Sequence, residues 1–292
     1  MRRYTVQLIA DSTGVQKYKQ GWGRHNLSIS TSTMQCHEVN DPQAETKYLW
    51  TIWDRHPKLA LDGPNNILRG WSWAALRTNF VVSGKLMLDA GLSSPLAVDY
   101  IFLTHGHSDH AASLYFNTLT PVREGEKRKI YMPVEIKERT DLFLQYSYEM
   151  GNEDEKARYS PDKANFMTVG VQAGEVIDIA HNGKPYQVRV YENDHSVPCR
   201  SYGFCEFIKS LKDEYRSLEG RKLGELRRAG VNIENFTYKP RFIYIGDTCE
   251  NVFVKNPEIF EYKSIIVECT FLYDDDMEQA NATKHCHWRN LR

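Results

Sequence analysis

The stretch Tyr100-Ile101-Phe102-Leu103-Thr104-His105-Gly106-His107-Ser108-Asp109-His110 decides how the rest of this chain is interpreted. Its apolar start predicts a short buried strand, which ends directly in a segment that carries three imidazoles and one carboxylate. Imidazole nitrogen and carboxylate oxygen are the ligands of catalytic zinc, whose sites leave one position open for water. A His-rich surface loop is the alternative, but so dense a group of ligand-type residues after a strand favours a metal site.

The spacing within this stretch suggests two centres. Gly106 has no Cβ and is expected to adopt a backbone conformation that a larger residue would resist. His105 and His107 can then face one metal ion, while Asp109 and His110 serve a second.

The composition is that of a globular protein. The 292 residues can bury a substantial core, and the formal net charge of −1 gives no overall attraction to nucleic acid. Six scattered cysteines with no CxxC pair are typical of reduced thiols. No signal peptide or membrane-spanning window is visible. We therefore expect a soluble cytoplasmic protein.

The remaining elements are predicted from apolar periodicity and turn residues. Strands are predicted at 4–10, 48–53, 79–82, 85–91, 130–133, 175–179, 186–192, 202–208, 242–245 and 264–267. Helices are predicted at 95–98, 111–119, 135–150 and 211–230, turns at 62–66 and 123–129, and a mobile loop at 151–165. This order predicts a layered α/β domain over residues 1–292.

Two further strand ends carry ligand-type residues. His195 follows a predicted strand and precedes Pro198, while Asp247 follows a buried apolar strand. Taken alone, His195 could be an ordinary loop histidine and Asp247 a helix cap. Because the carboxyl ends of strands in layered α/β domains converge, these residues can share a cleft with His105. Two cations there would activate water for hydrolysis of a phosphodiester.

The segment 104–110 matches the HxHxDH signature of the metallo-β-lactamase superfamily. Within it, the chain resembles ribonuclease Z, the endonuclease that removes 3′ trailers from tRNA precursors. The supporting segments are His195 to Phe204, Gly246-Asp247-Thr248, Glu268-Cys269-Thr270-Phe271 and Lys284-His285-Cys286-His287-Trp288. The resemblance covers roughly residues 80–292 and implies an α/β fold, the metallo-β-lactamase-like αββα four-layer sandwich.

The resemblance also implies a role for each site residue. Two zinc ions per chain are expected, with Mn²⁺ or Mg²⁺ as alternatives. One ion would be held by His105, His107 and His195, and the other by Asp109 and His110, with Asp247 bridging. Asp109 would also orient the attacking water, His285 would protonate the leaving 3′ oxygen, and Asp89 would be a structural aspartate. Without the resemblance, His285 would be interpreted as an exposed histidine of a terminal helix.

The chain departs from the family pattern in two places. The family continues past the His285 motif to a final metal-binding histidine, whereas this sequence stops at Arg292. Three explanations stay open: the sequence is truncated, the second site lacks a ligand, or His287 substitutes. Residues 209–239 stand where many relatives carry a long substrate arm. The basic helix predicted there could contact phosphates, but its interleaved acidic residues also fit a solvated face.

Three functions are consistent with these observations. The first is an endoribonuclease acting on precursor tRNA. The second is a small-molecule phosphodiesterase or another ester hydrolase of the superfamily. The third is an RNA-binding member with impaired catalysis, since a ligand of the second site is missing. The resemblance also implies a possible homodimer, and no membrane partner is expected.

Overall fold

A computed structural model describes residues 8–11, 59–61, 66–73, 75–94, 96–120, 122–123, 125–152 and 159–291. The strands form two sheets. The N-terminal sheet has the order β2 (Leu59–Ala60), β3 (Ile67–Trp73), β4 (Arg77–Val82), β5 (Leu86–Leu88), β6 (Tyr100–Phe102), β7 (Arg128–Pro133) and β8 (Phe166–Val171). The C-terminal sheet has the order β1 (Leu8–Asp11), β13 (Ser264–Val267), β12 (Glu234–Gly246), β11 (Arg200–Leu211), β10 (Lys184–Glu192) and β9 (Val176–His181).

Within the described residues, six α-helices connect these strands. They are α1 (Ser108–Ala111), α2 (Leu114–Thr118), α3 (Val134–Met150), α4 (Gly220–Arg228), α5 (Asn251–Lys255) and α6 (Met277–Thr283). Strands β5 to β8 pair in parallel, so their carboxyl ends lie at one edge of the N-terminal sheet. In the C-terminal sheet, β12 and β13 are also parallel.

The two sheets pack face to face around an aromatic core. The Phe102 ring of β6 lies 5.1 Å from the rings of Tyr202 and Phe204 on β11. Phe80 of β4 lies 6.0 Å from Tyr244 of β12. These rings are buried, so each contributes its large apolar area to joining the sheets.

The outer face of each sheet is covered by helices. Leu114 of α2 and Leu144 of α3 pack with Ile130 of the N-terminal sheet. Val252 of α5 packs with Ile243 of the C-terminal sheet. The layers therefore run helix, sheet, sheet, helix, which confirms the predicted αββα sandwich. The predicted domain range 1–292 includes residues outside the described part and stays a prediction.

Most predicted strands and the long helix are confirmed. The hairpin at 79–91 is present as β4 and β5, with a turn in which Ser83 and Gly84 have φ of 51° and 69°. The strand predicted at 264–267 has those bounds, and the helix predicted at 135–150 begins at Val134. The strand predicted at 48–53, most of that at 4–10 and part of the loop at 151–165 lie outside the described residues.

The helix predicted at 95–98 is wrong. The backbone N–H of Ser94 donates to Asn117 Oδ1 at 2.8 Å, and the Ser94 hydroxyl accepts from the N–H of Leu96 at 3.2 Å. The carbonyl of Val98 accepts from the Arg128 guanidinium. The N–H of Asp99, which would close a helical turn over these residues, instead donates to the Lys85 carbonyl at 3.0 Å.

Two other helices differ from their predicted limits. The helix at 111–119 is instead the pair α1 and α2, because the N–H of Ser113 bonds to the Ala90 carbonyl outside the helix. The helix at 211–230 begins only at Gly220, because β11 continues to Leu211 and pairs there with Glu234. Sequence analysis also missed β3, and it placed Arg128 in an exposed turn although this residue is buried in β7.

Candidate metal centre

The loop after β6 brings two imidazoles to the edge of the N-terminal sheet. Thr104 lies two residues after the strand, and its hydroxyl donates to Asp89 while accepting from His105 Nδ1 at 2.9 Å. This arrangement leaves His105 Nε2 without a proton. That atom lies 3.1 Å from Nδ1 of His107. Burial, followed by repulsion from His110, lowers the pKa of His105 well below its usual value, so the ring is neutral and suited to metal binding.

Glycine is needed elsewhere than expected. Gly106 has no positive φ, and a Cβ there would approach only Ile136, at 3.8 Å, so the expectation for Gly106 is wrong. At Gly91, by contrast, a Cβ would lie 1.7 Å from the carbonyl oxygen of Asp109. This close approach lets α1 sit directly on the segment after β5.

Helix α1 carries Asp109 and His110. His110 is buried, and its Nδ1 lies 2.7 Å from Oδ2 of Asp89. Asp89 has a φ of 58°, a conformation that aspartate tolerates better than most residues. Since Nδ1 donates to this carboxylate, Nε2 is the nitrogen of His110 that faces the site, and it lies 3.3 Å from Oδ1 of Asp247. Burial lowers the pKa of His110, but the two carboxylates raise it more, so the net shift is upward.

Asp247 lies between the imidazoles at the end of β12. Gly246 before it has a φ of 71°, and a Cβ at Gly246 would lie 2.7 Å from the Thr104 side chain. Oδ2 of Asp247 is 3.9 Å from Nε2 of His105 and 3.7 Å from Nδ1 of His285. Burial raises the pKa of Asp247, but His110 and the other imidazoles hold it well below the usual range. The carboxylate is therefore ionised, as a bridging ligand requires.

His195 and His285 complete the group from the C-terminal side. Nε2 of His195 lies 3.3 Å from Nδ1 of His107, and its Nδ1 donates to the Lys284 carbonyl at 3.2 Å. His285 Nδ1 lies 2.8 Å from Oε1 of Glu268, a residue at the end of β13. Burial lowers the pKa of His285, but the hydrogen bond to Glu268 raises it by more than burial lowers it. The net shift in pKa is therefore upward.

The structure contains three sets of residues whose ligand atoms, within each set, all lie within 4.8 Å of one another. The sets are His105 with His107 and His195, His105 with His110 and Asp247, and His195 with Asp247 and His285. Asp109 belongs to none of them, although its Oδ2 is 3.7 Å from His110 Nε2. His287 is also outside the sets, since it is buried and its Nε2 donates to the Tyr273 carbonyl. The assignment of each residue as a ligand stays a prediction.

The donor set fits a divalent metal ion. Ligands in a tetrahedral zinc site with Zn–N of about 2.0–2.1 Å are about 3.3 Å apart, close to the 3.1 and 3.3 Å between the nitrogens of the first set. Four imidazoles have Nδ1 in a hydrogen bond to an oxygen, which leaves Nε2 as the free nitrogen: His105, His110, His195 and His285. Such outer bonds commonly orient metal-binding histidines.

Sequence analysis missed several groups that orient these ligands. Tyr244 donates to Oδ2 of Asp89 at 2.6 Å, and Glu268 accepts from the backbone N–H of Thr248 at 2.8 Å. Glu268 was named only within a segment of the resemblance and was given no role, although it follows an apolar strand as His105 does. The role of the Lys284 carbonyl could not have been predicted, because every residue has a backbone carbonyl and the residue type does not indicate which one accepts a hydrogen bond.

Comparison with known proteins identifies similar chains. No family model matches the sequence. The chloroplastic tRNase Z TRZ2 of Arabidopsis thaliana is 25% identical over 209 residues, which cover 70% of this chain and 56% of that protein. The tRNase Z TRZ1 of the same plant is also 25% identical over 209 residues, with 70% of each chain covered. The solved structure of human tRNase Z, short form, aligns with a TM-score of 0.42 and 16% identity over 80% of this chain and 83% of its own.

The four layers and the histidine-rich edge together define an αββα domain that can hold divalent metal ions, the architecture expected for the metallo-β-lactamase superfamily. Within that class, the chain is similar to ribonuclease Z, as its curated relatives show. The match spans little more than half the length of the chloroplastic relative. In the described part of the chain, no helix has the length and apolar character needed to cross a membrane.

Proposed function

We propose that this protein is a metal-dependent endoribonuclease that removes 3′ trailers from tRNA precursors. The observation that carries the proposal is the convergence of ligand groups from both sheets on one edge, in a chain whose relatives are named tRNase Z. The proposed ligands are His105, His107, Asp109, His110, His195 and Asp247, with zinc as the metal. When bound, two such ions supply a hydroxide at neutral pH and stabilise charge on the phosphate oxygens.

The chain's own residues would position the water and move the proton. The Asp109 carboxylate is partly exposed beside His110, where it can accept a hydrogen bond from the attacking water. Glu268 holds Nδ1 of His285, which fixes the ring and leaves Nε2 available. Because its pKa is raised, His285 can carry a proton near neutral pH and donate it to the leaving 3′ oxygen.

The segment 209–239 supports an RNA substrate through its shape and side chains. Strands β11 and β12 continue past the core as a paired hairpin that ends in the exposed helix α4. On this hairpin, Phe207 stacks on Phe236 at 5.8 Å, and Lys209 lies over the Phe236 ring. Some of the cations are neutralised locally, since Arg227 pairs with Glu234 and Arg221 with Glu225. We therefore expect this hairpin to add modest, salt-dependent affinity.

Cleavage of a 3′-extended precursor tRNA tests the proposal. The wild-type protein with Zn²⁺ or Mn²⁺ should release the trailer and leave a 3′ hydroxyl on the tRNA. His107→Ala and Asp109→Ala should lower the rate at least about 100-fold, and His285→Gln about 100-fold as expected for loss of a general acid. His181→Gln is the matched control, because this buried histidine lies outside the site.

Unchanged cleavage by Asp109→Ala, or none by the wild type with any of these metals, contradicts the proposal. Hydrolysis of a chromogenic phosphodiester without RNA cleavage would instead favour the small-molecule phosphodiesterase. A homodimer in a reducing intracellular compartment is part of the proposal. The reducing compartment is supported by Cys199, Cys205, Cys249 and Cys286, which are buried and form no disulfide among the described residues. The dimer is tested by light scattering.

A further inference from the structure

Lys284 lies between the segments that deliver His195 and His285. It ends α6 in a left-handed conformation, with φ of 56° and ψ of 50°. In this conformation its carbonyl accepts the Nδ1 proton of His195 at 3.2 Å. His195 must then present Nε2, the nitrogen 3.3 Å from His107, without a proton. The backbone of Lys284 therefore selects the His195 tautomer that can bind a metal ion.

The side chain of Lys284 returns to the same loop. Its ammonium lies 2.9 Å from Oδ1 of Asp194, the residue immediately before His195. Asp194 is fixed from other sides as well, since its Oδ2 accepts from Asn251 Nδ2 at 3.1 Å and its carbonyl accepts from the Cys249 N–H at 3.1 Å. Lys284 thus contacts the His195 loop twice, once through the main chain and once through the side chain.

The Lys284–Asp194 ion pair contributes more to the position of His195 than to the stability of the fold. The Lys284 side chain is 48% exposed, and a surface pair of this kind adds only about 0–1 kcal/mol to folding. The effect of the Lys284–Asp194 pair on geometry is larger. The pair joins two segments of the chain at the point where His195 donates its Nδ1 proton to the Lys284 carbonyl, 89 residues away. Groups that orient a metal-binding histidine typically change metal affinity by about 10–100-fold.

We propose that Lys284 and Asp194 form a lock that holds the Lys284 carbonyl against His195 and so presets this ligand for a divalent metal ion. The inference deepens the proposed function, since it rests on the same metal site. Lys284 and Asp194 are positioning residues, because neither belongs to the three ligand sets.

Titration of the metal-free protein with Co²⁺, followed by its visible absorption, tests the lock without RNA. Lys284→Asn removes the ammonium while keeping a residue that tolerates the left-handed conformation. Lys284→Asn and Asp194→Asn should each weaken Co²⁺ binding about 10-fold and alter the absorption band. The double variant should show no further loss, because both substitutions break one contact.

Two matched variants separate this role from a general effect of charge. Lys255 lies 3.8 Å from Oδ2 of the same carboxylate, and no contact joins it to His195 in the described part of the chain. Lys255→Ala should therefore bind Co²⁺ within about twofold of wild type. Lys284→Arg should restore binding, since the guanidinium can reach Asp194. Circular dichroism and urea midpoints confirm that each variant is folded.

The outcomes distinguish the lock from the proposed function. Folded Lys284→Asn and Asp194→Asn variants with wild-type Co²⁺ affinity and spectrum would overturn the lock, whatever the RNA assay gives. A wild-type protein that binds Co²⁺ and is weakened by these substitutions, but cleaves no RNA, would leave the lock standing and overturn the endonuclease. Absence of Co²⁺ binding by the wild type would overturn both.

Discussion

Replacing Asp89 with asparagine removes the negative charge behind His110 with little disturbance of the backbone. Asp89 is fully buried and has a φ of 58°. Asparagine tolerates this left-handed conformation, whereas alanine would add strain. Asp89→Asn therefore isolates the contribution of the carboxylate to the metal centre.

The size of the effect follows from the hydrogen bonds of the carboxylate. Its Oδ1 accepts from the Thr104 N–H at 2.7 Å and from the Thr104 hydroxyl at 3.0 Å, and its Oδ2 accepts from His110 Nδ1 at 2.7 Å and Tyr244 at 2.6 Å. In the variant, the oxygen can keep the bond to Thr104, but the amide nitrogen faces two donors and cannot accept from either. Two charge-assisted bonds of about 1.5–3 kcal/mol each are lost. The neutral amide costs less to bury, so we expect a net loss of about 3 kcal/mol.

Metal binding should fall together with stability. Without its acceptor, His110 loses the bond that leaves Nε2 free beside Asp247, and affinity for the second ion should fall about 10–100-fold. Urea denaturation of the metal-free protein measures the first effect, and elemental analysis after dialysis against graded Zn²⁺ measures the second. A variant that loses less than about 1 kcal/mol and retains two ions at wild-type affinity would refute this account of Asp89.

Three other predictions concern the packing and titration of buried residues. Gly91→Ala should force α1 away from β5, because the new Cβ would overlap the Asp109 carbonyl. We expect the free energy of unfolding to fall by about 2 kcal/mol in urea denaturation and Zn²⁺ binding to weaken in a metal titration. Wild-type values for both would contradict the close packing. Arg128→Met should lower the free energy of unfolding by about 3 kcal/mol in thermal denaturation, since the buried guanidinium donates to three backbone carbonyls that methionine cannot satisfy. A loss below about 1 kcal/mol would contradict this and show that water replaces the guanidinium. Burial lowers the pKa of His181 from 6.5 to about 4, so the folded state favours the neutral ring. The stability that depends on this neutral ring is fully present above pH 6.5 and falls as the pH drops towards 4, and the loss at pH 4.5 is about 2.5 kcal/mol. His181→Gln should remove that part of the pH dependence, and identical urea midpoints for wild type and variant at pH 7 and pH 4.5 would contradict it.

The sequence was most informative where strand pattern and ligand chemistry coincide. The apolar run before His105 and those before His195 and Asp247 predict strands whose ends meet, and the structure brings all three residues together. This works because local residue type determines both the strand and the ligand. The same logic applied to the strand at 264–267 would have identified Glu268.

The sequence was less informative where distant groups determine local structure. Residues 96–98 fail to form a helix because the N–H of Asp99 donates to the Lys85 carbonyl, and this contact is not visible in local periodicity. The start of α4 is set by pairing of Leu211 with Glu234 across the hairpin. The acceptor for His195 is a main-chain carbonyl, which any residue at position 284 could supply.

The ligand groups are divided between the two halves of the sandwich. His105, His107 and His110 follow strand β6, whereas His195 and Asp247 follow strands of the opposite sheet and His285 follows helix α6. An ion held by both groups would act as a crosslink across the interface between the sheets, so the protein could not come apart without releasing it. Each tenfold rise in free metal above the dissociation constant would then add about 1.4 kcal/mol to the unfolding free energy. The melting temperature of this protein should consequently report the metal supply of its surroundings, and starvation for the ion would shorten its lifetime before it limited any reaction.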